Sequence, residues 1–306
     1  MRYVIIINPA AGTKSANLKY RQIFEDHFQK LGVEHQIYVS EHADHIAEIA
    51  KAEAERHEQL RIWVAGGDGS VFSLANAIKA YPHVEMGVFP CGSGNDFVKN
   101  FDPSIDFFDI DGQLNGESKR VNLIDSNIAT CINVASIGFD AGVCYHTVAY
   151  KKLPFGGNTM RYNLALLKML FTNYGNTMHI TLHSKGETHS YHGNFLFVLA
   201  ANGTSYGGGY KAAPDAKIDD DQLTFVLLKT PSLFKILSLI GKYKKGQHLN
   251  NPLFAPYLVY MKGDKLEFES DDPVFYNLDG ECDLISKGYF SLSKNTVQFI
   301  VPVLKK

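Results

Sequence analysis

The chain has 306 residues, 45% of them hydrophobic and 20% charged, with a formal net charge of −2 at pH 7. This is the composition of an ordinary globular protein rather than a disordered or fibrous one, and the length is comfortable for two domains. So small a net charge gives no field for non-specific nucleic-acid binding, so no nucleic-acid partner is expected and any anion site must be local.

The four cysteines, Cys91, Cys131, Cys144 and Cys282, have neither CxxC nor zinc-type spacing, and read as reduced thiols of a cytoplasmic protein. From the N-terminus, MRYVIIINP carries too short an apolar run for a leader and reads as a buried strand ending at Asn8-Pro9. Ile23, Phe24, Phe28 and Leu31 at helical spacing predict a helix over 18–31, which Gly32 stops. HQIYVS at 35–40 reads as a second strand, HIAEIAKAEAERH at 45–57 as a second helix, and RIWVA at 61–65 as a third strand running into GGDGS. VFSLANAIKAY follows as a third helix and EMGVFP as a fourth strand. Such alternation predicts a parallel sheet covered by helices, with ligands beyond the carboxyl ends of its strands.

From about Val121 the texture changes to strand-like runs: CINVASIGF, MHITLHS, NFLFVLAANG, QLTFVLLK, KLEFES, YFSLS and VQFIVPV. These predict a β-rich second domain, interrupted by helical inserts near 160–171 and 232–243. The longest apolar runs, such as FLFVLAA at 195–201, are far too short to cross a bilayer.

Two glycine clusters follow neighbouring strands: Gly66, Gly67 and Gly69 around Asp68, closed by Ser70, and Gly92 and Gly94 around Ser93, followed by Asn95 and Asp96. Either cluster alone is a tight turn or a nest of backbone N–H groups for phosphate oxygens. Together, each with a carboxylate, they point to a nucleotide phosphate and its metal. GTKS at 12–15 lacks the upstream glycine of a Walker A loop. IDDDQL at 218–223 places three carboxylates side by side, either as ligands for a hard cation or as a solvated acidic turn.

INPAAG at 7–12, GGDGS at 66–70 and PCGSGNDF at 90–97 resemble the three ordered motifs of the diacylglycerol kinase catalytic domain. NVASIGFDA at 133–141, NGTSYGGGYKAAPDAKIDDDQL at 202–223 and LDGE at 278–281 resemble that family's second-domain motifs in the same order. The resemblance covers almost the whole chain. It implies an α/β fold with a Rossmann-like parallel-sheet nucleotide domain over residues 1–124 and a β-sandwich acceptor domain over 125–289. A tail, 290–306, would return to the first domain, and the active site would lie in the interdomain cleft.

The resemblance further implies that the GGDGS turn holds ATP phosphates, with Asn8 and the GSGND residues Gly92, Ser93, Gly94, Asn95 and Asp96 lining the same pocket. Asp68 and Asp96 would organise nucleotide and metal. An alcohol is a poor nucleophile at neutral pH and needs a proton acceptor during in-line phosphoryl transfer; Asp279 is the implied base, with Glu281 as helper or metal contact. Without the other motifs, Asp279-Gly280 reads as a hairpin turn. A structural Mg²⁺ is implied at Asp220, Asp219 and the Leu223 carbonyl.

The implied activity is transfer of the ATP γ-phosphate to a lipid hydroxyl, that of diacylglycerol giving phosphatidic acid, at a membrane surface that the protein meets peripherally. Homodimers are common in the family. Phosphatidylglycerol, a sphingoid base and NAD are alternative acceptors within the superfamily. Asn122, standing where the family has Asp, motivates a different reading, a non-catalytic nucleotide sensor. Other departures are Asp221 for Gly and Ser70 and Ser93 for Thr. Lys14, Arg21 and Lys211 are either phosphate partners or surface charges. Leu164, Leu167, Lys168, Met169 and Leu170, with Lys242, Lys244 and Lys245, form either a lipid-facing surface or, for the apolar members, core.

Overall fold

The computed structural model describes residues 1–12, 14–150, 157–172 and 174–304, with the side chains of 14–19 and 158–159 outside that description. The chain divides into two compact units, Met1–Leu123 with Lys294–Lys306, and Ile124–Ser293.

In the first unit, strands β1 (Arg2–Ile7), β2 (His35–Val39), β3 (Leu60–Gly66) and β4 (Val84–Pro90) alternate with helices α1 (Lys14–Leu31), α2 (His45–Arg56) and α3 (Asp68–Ile78), and α4 (Ile110–Leu114) follows. Strands β1 to β4 pair in parallel: β1 lies between β2 and β3, and β3 lies beside β4. Gln298 and Phe299 of the returning chain pair in parallel with Glu85 and Met86. Val4 to Ile7 are wholly buried, as a β-branched strand covered on both faces requires. Phe24 and Phe28 of α1 pack with Ile5, Ile7, Trp63 and Phe89, each contributing about 1.5–3 kcal/mol of burial. Trp63 is held by an N–H bond to Gln113 Oε1 at 2.9 Å.

Helix α3 starts at Asp68 rather than after the glycine turn. Gly67 caps the helix and Asp68, Gly69 and Ser70 open its first turn, because the Ser70 N–H reaches the Gly67 carbonyl at 2.9 Å and an acid in the first turn favours the positive end of the helix dipole.

The second unit holds β6 (Thr130–Cys131), β7 (Val134–Gly138), α5 (Phe139–Ala149), α6 (Asn158–Thr172), β8 (Asn176–Ser184), β9 (Glu187–Ala201), β10 (Leu223–Lys229), α7 (Leu233–Lys244), β11 (Leu258–Gly263) and β12 (Lys265–Leu278). Strands β5 (Glu117–Ser126) and β13 (Glu281–Val301) each continue from one unit's residues into the other's. Pairing in this unit is antiparallel. The long strands β9 and β12 flank β8 with their first halves and β7 with their second. Parallel pairing thus lies in the first unit, the part of the chain for which a parallel sheet was expected.

CINVASIGF, expected as one extended run, ends its strand at Gly138. Its φ of +105° is open only to glycine, and it turns the chain from β7 into α5. YFSLS and VQFIVPV, read as separate strands, are parts of the single strand β13. Helices α5, α6 and α7 supply Phe139, Val143, Ala165, Met169, Leu170, Ile236 and Leu239 to the core. The expected face of α6 thus divides: Met169 and Leu170 are buried, while Leu164 and Leu167 are exposed together with Phe171. Among the described residues no helix is long and apolar enough to cross a membrane.

Candidate active site

The three N-terminal motifs meet at the carboxyl ends of β1, β3 and β4. Asn8, just past β1, donates from Nδ2 to Ser70 Oγ at 2.9 Å, and its Oδ1 accepts the Ala10 N–H at 2.9 Å. The Cys91 N–H bonds to the Gly66 carbonyl at 2.9 Å. The two glycine turns touch through their backbones: a Cβ on Gly92 would stand 2.5 Å from the Gly67 Cα, and one on Gly67 would stand 3.0 Å from the Gly92 Cα. A Cβ on Gly66 would meet Ser70 Oγ at 2.2 Å, and one on Gly94 would meet Asp68 Oδ2 at 2.8 Å. Glycine is required here by space, not only by conformation.

Asn95, at φ +49°, staples its own loop. Its Oδ1 accepts the Gly92 N–H at 3.0 Å, and its Nδ2 donates to the Pro90 and Gly92 carbonyls at 2.8 and 2.9 Å. Asp68 Oδ1 accepts the Phe97 N–H at 3.2 Å, tying the first turn to the second. Asp96 is buried and pairs with Lys99 Nζ at 2.6 Å. Gly69 and Ser93 remain exposed at the surface of this assembly. Backbone N–H groups at the start of α3, beside two close-packed glycine turns, form a cradle of the kind that accepts phosphate oxygens. Lys99 escaped the sequence reading, although its position three residues after Asp96 in a short 3₁₀ turn was a usable signal.

In the second unit, Asp279 occupies φ +50° in the turn between β12 and β13. Its carboxylate accepts backbone N–H groups from three successive residues. Ile132 reaches Oδ2 at 2.7 Å, Val134 reaches Oδ1 at 2.8 Å, and Asn133 reaches both oxygens at 3.2 Å. Burial pushes the Asp279 pKa upward while those bonds oppose the shift. An ionised carboxylate offers about four lone-pair sites, so this turn holds a fixed, fully engaged acid. To accept a substrate proton, Asp279 must first release one of these N–H groups. Glu281 is exposed.

The acidic loop before β10 is engaged by a lysine. Asp220 Oδ2 is ion-paired with the Lys262 ammonium, and its Oδ1 accepts the Asp221 N–H at 2.9 Å. Lys262 holds the Asp220 carboxyl below its usual pKa range. A lysine therefore supplies the positive charge, and among the described residues no group of three or more His, Cys, Asp or Glu could hold a metal ion. Asp219 lies in the same loop, and Leu223 is the first residue of β10, opposite Gly263. Arg21 pairs with Glu25 at 2.9 Å, one helical turn away. The Lys211 N–H bonds to the Lys244 carbonyl at 3.2 Å, and the Lys14 side chain lies outside the described residues. Asn122 is buried in β5.

Two features near the Asp279 turn were not singled out in the sequence. Asp140, in the first turn of α5, has a buried carboxyl whose pKa is pushed up to about 6 by burial, with Ser136 and Tyr206 opposing. Cys144 and Cys282 both face Gly280, the residue after Asp279. A separate groove of about 390 Å³, lined by His179, Thr181, Glu267, Glu269, Lys287 and Tyr289 among others, contains none of the motif residues.

A parallel-stranded unit with two close-packed glycine turns at its strand ends, followed by an antiparallel β unit, defines a two-part α/β protein. Residues 2–125 match the diacylglycerol kinase catalytic domain, and residues 133–288 match the YegS C-terminal NAD kinase beta sandwich-like domain. A protein of Shewanella frigidimarina named "Probable lipid kinase YegS-like" is 30% identical over 253 residues, covering 79% of this chain and 76% of its own. A diacylglycerol kinase of Staphylococcus carnosus is 27% identical over 282 residues, covering 90% and 87%. A crystal structure titled as a diacylglycerol kinase of Bacillus anthracis shares the fold with a TM-score of 0.68 at 17% identity, covering 98% of this chain and 96% of that one. The chain belongs to the diacylglycerol kinase catalytic-domain family of lipid kinases.

Proposed function

We propose that the protein transfers the γ-phosphate of ATP to a lipid hydroxyl at a membrane surface, with diacylglycerol as acceptor and phosphatidic acid as product. The observation that carries this reading is the backbone contact of Gly67 with Gly92 beside the start of α3, a cradle for phosphate oxygens. The GGDGS and GSGND turns hold the triphosphate, and Asp68 and Asp96 would hold a Mg²⁺ that offsets the phosphate charge. The acceptor oxygen attacks the γ-phosphorus as the bond to the β–γ bridging oxygen breaks and ADP leaves. Asp279, after exchanging one backbone N–H for the acceptor hydroxyl, takes the proton.

The full engagement of the Asp279 carboxylate favours a second reading, a nucleotide-binding regulator without transfer. One assay separates the two. The protein is incubated with γ-labelled ATP and Mg²⁺ against NAD and against micelles of diacylglycerol, phosphatidylglycerol or a sphingoid base. Label in phosphatidic acid, lost by about 10³-fold or more in Asp279→Asn, supports the kinase reading. Label in NADP alone, or transfer unchanged in Asp279→Asn, overturns the corresponding part of it.

A further inference from the structure

Cys144 on α5 and Cys282 on β13 both turn their sulfurs onto the backbone that carries Asp279. Cys144 Sγ lies 3.7 Å from the Gly280 carbonyl oxygen, and Cys282 Sγ lies 3.5 Å from the same oxygen. Cys282 Sγ is also 3.9 Å from the Ala141 carbonyl oxygen, one helical turn before Cys144, and 3.6 Å from Asn277 Oδ1. The pattern is reciprocal, since each sulfur faces the segment that carries the other. Both side chains are half-buried cysteines outside any disulfide. Phosphoryl transfer needs no thiol at this place, and any small apolar side chain would serve packing alone.

The geometry points to Cys144 and Cys282 as a modification site: a dithiol that peroxide closes to a disulfide, locking the turn that bears Asp279. The effect on activity rests on the kinase reading, while the bond itself does not. The neighbouring Cys144 and burial keep the Cys282 thiol protonated, so the first attack falls to Cys144. Its thiolate sulfur attacks one peroxide oxygen and the O–O bond breaks. The departing hydroxide takes up a proton as water, leaving a sulfenic acid. The Cys282 sulfur then displaces that hydroxyl, which leaves as water with the Cys282 proton, and the S–S bond forms. Two thiols give up two hydrogens and two electrons, and one peroxide becomes two waters.

The consequence follows from the turn. Asp279 and Gly280 sit at φ +50° and +106°, with the Gly280 N–H on Asn277 Oδ1 at 2.8 Å. A crosslink from α5 to the residue two beyond Gly280 holds this arrangement, in which every Asp279 lone pair is engaged. Release of a backbone N–H, which proton transfer needs, is then opposed.

The test uses the full chain, reduced and then treated with hydrogen peroxide. Peptide mapping without reductant should find a Cys144–Cys282 crosslink with the mass of two hydrogens lost. Diacylglycerol phosphorylation should fall roughly 10- to 100-fold in kcat, recover with dithiothreitol, and resist peroxide in both Cys144→Ser and Cys282→Ser. If both thiols stay open to alkylation after peroxide, or if the crosslink forms and activity is unchanged, the proposal fails. If the reduced protein phosphorylates no lipid, the kinase reading falls instead, and the peptide map still decides the crosslink.

Discussion

At the level of single residues, the glycines were the most readable part of the site, because their demand is steric and local. Gly66, Gly67, Gly92 and Gly94 announce a close backbone approach in the sequence, and each proves to have no room for a Cβ without movement. Gly92→Ala places its new carbon against the Gly67 backbone rather than a flexible side chain, so about 1–3 kcal/mol of stability should be lost. ATP binding, followed by nucleotide fluorescence, should weaken with it; unchanged binding would mean that the two turns do not form one cradle. Asp140 makes a different prediction. Its carboxyl titrates at about 6 in the fold against 3.8 ordinarily, so the fold binds the extra proton between those values. That contribution is complete below pH 3.8 and is lost as pH rises through about 6. Asp140→Asn should therefore stabilise the protein at pH 8 by up to about 3 kcal/mol and change little at pH 4. Urea unfolding at the two pH values checks this, and an equal effect at both would remove burial of the charge as its cause.

Among the elements, α6 and α7 were found from their periodicity, but which residues face outward could not be read from it. Helix α7 buries Ile236, Leu239 and Tyr243 and leaves Phe234 86% and Leu237 54% exposed, with Lys242, Lys244 and Lys245 exposed at its far end. An apolar tip beside a basic end suits the interface of an anionic bilayer. Replacing both Phe234 and Leu237 with Ser should leave the melting temperature unchanged and weaken sedimentation with phosphatidylglycerol-containing vesicles by roughly tenfold. Vesicle binding at the original strength would remove α7 from the membrane contact. Helix α5 was missed because it begins at the end of CINVASIGF, a run that reads as strand, and the φ of Gly138 marks the change. The partner of the acidic loop was hidden for a related reason: Lys262, which pairs with Asp220, comes from β11, a strand distant in sequence from it.

At the scale of the molecule, six motifs in order made the family and its two-part α/β organisation legible, since each motif carries its own backbone demand. What stayed hidden were partnerships across long separations. The Asp279 carboxylate finds its donors 145 to 147 residues earlier in the chain, and no local pattern announces that a supposed base is so thoroughly engaged.

The path of the last strand bears on how this protein can be handled. Phe299 is wholly buried, and its ring packs at 4.9, 5.2 and 6.4 Å from those of Phe97, Phe101 and Phe107, while its backbone covers β4. A gene fragment stopping at Leu123 would uncover that aromatic cluster and leave β4 as a bare sheet edge, a template for self-association. Such a fragment should sediment as aggregate, whereas one that splices 294–306 back through a short linker should stay monodisperse. Shortening the C-terminus would therefore damage the unit formed by the chain's beginning.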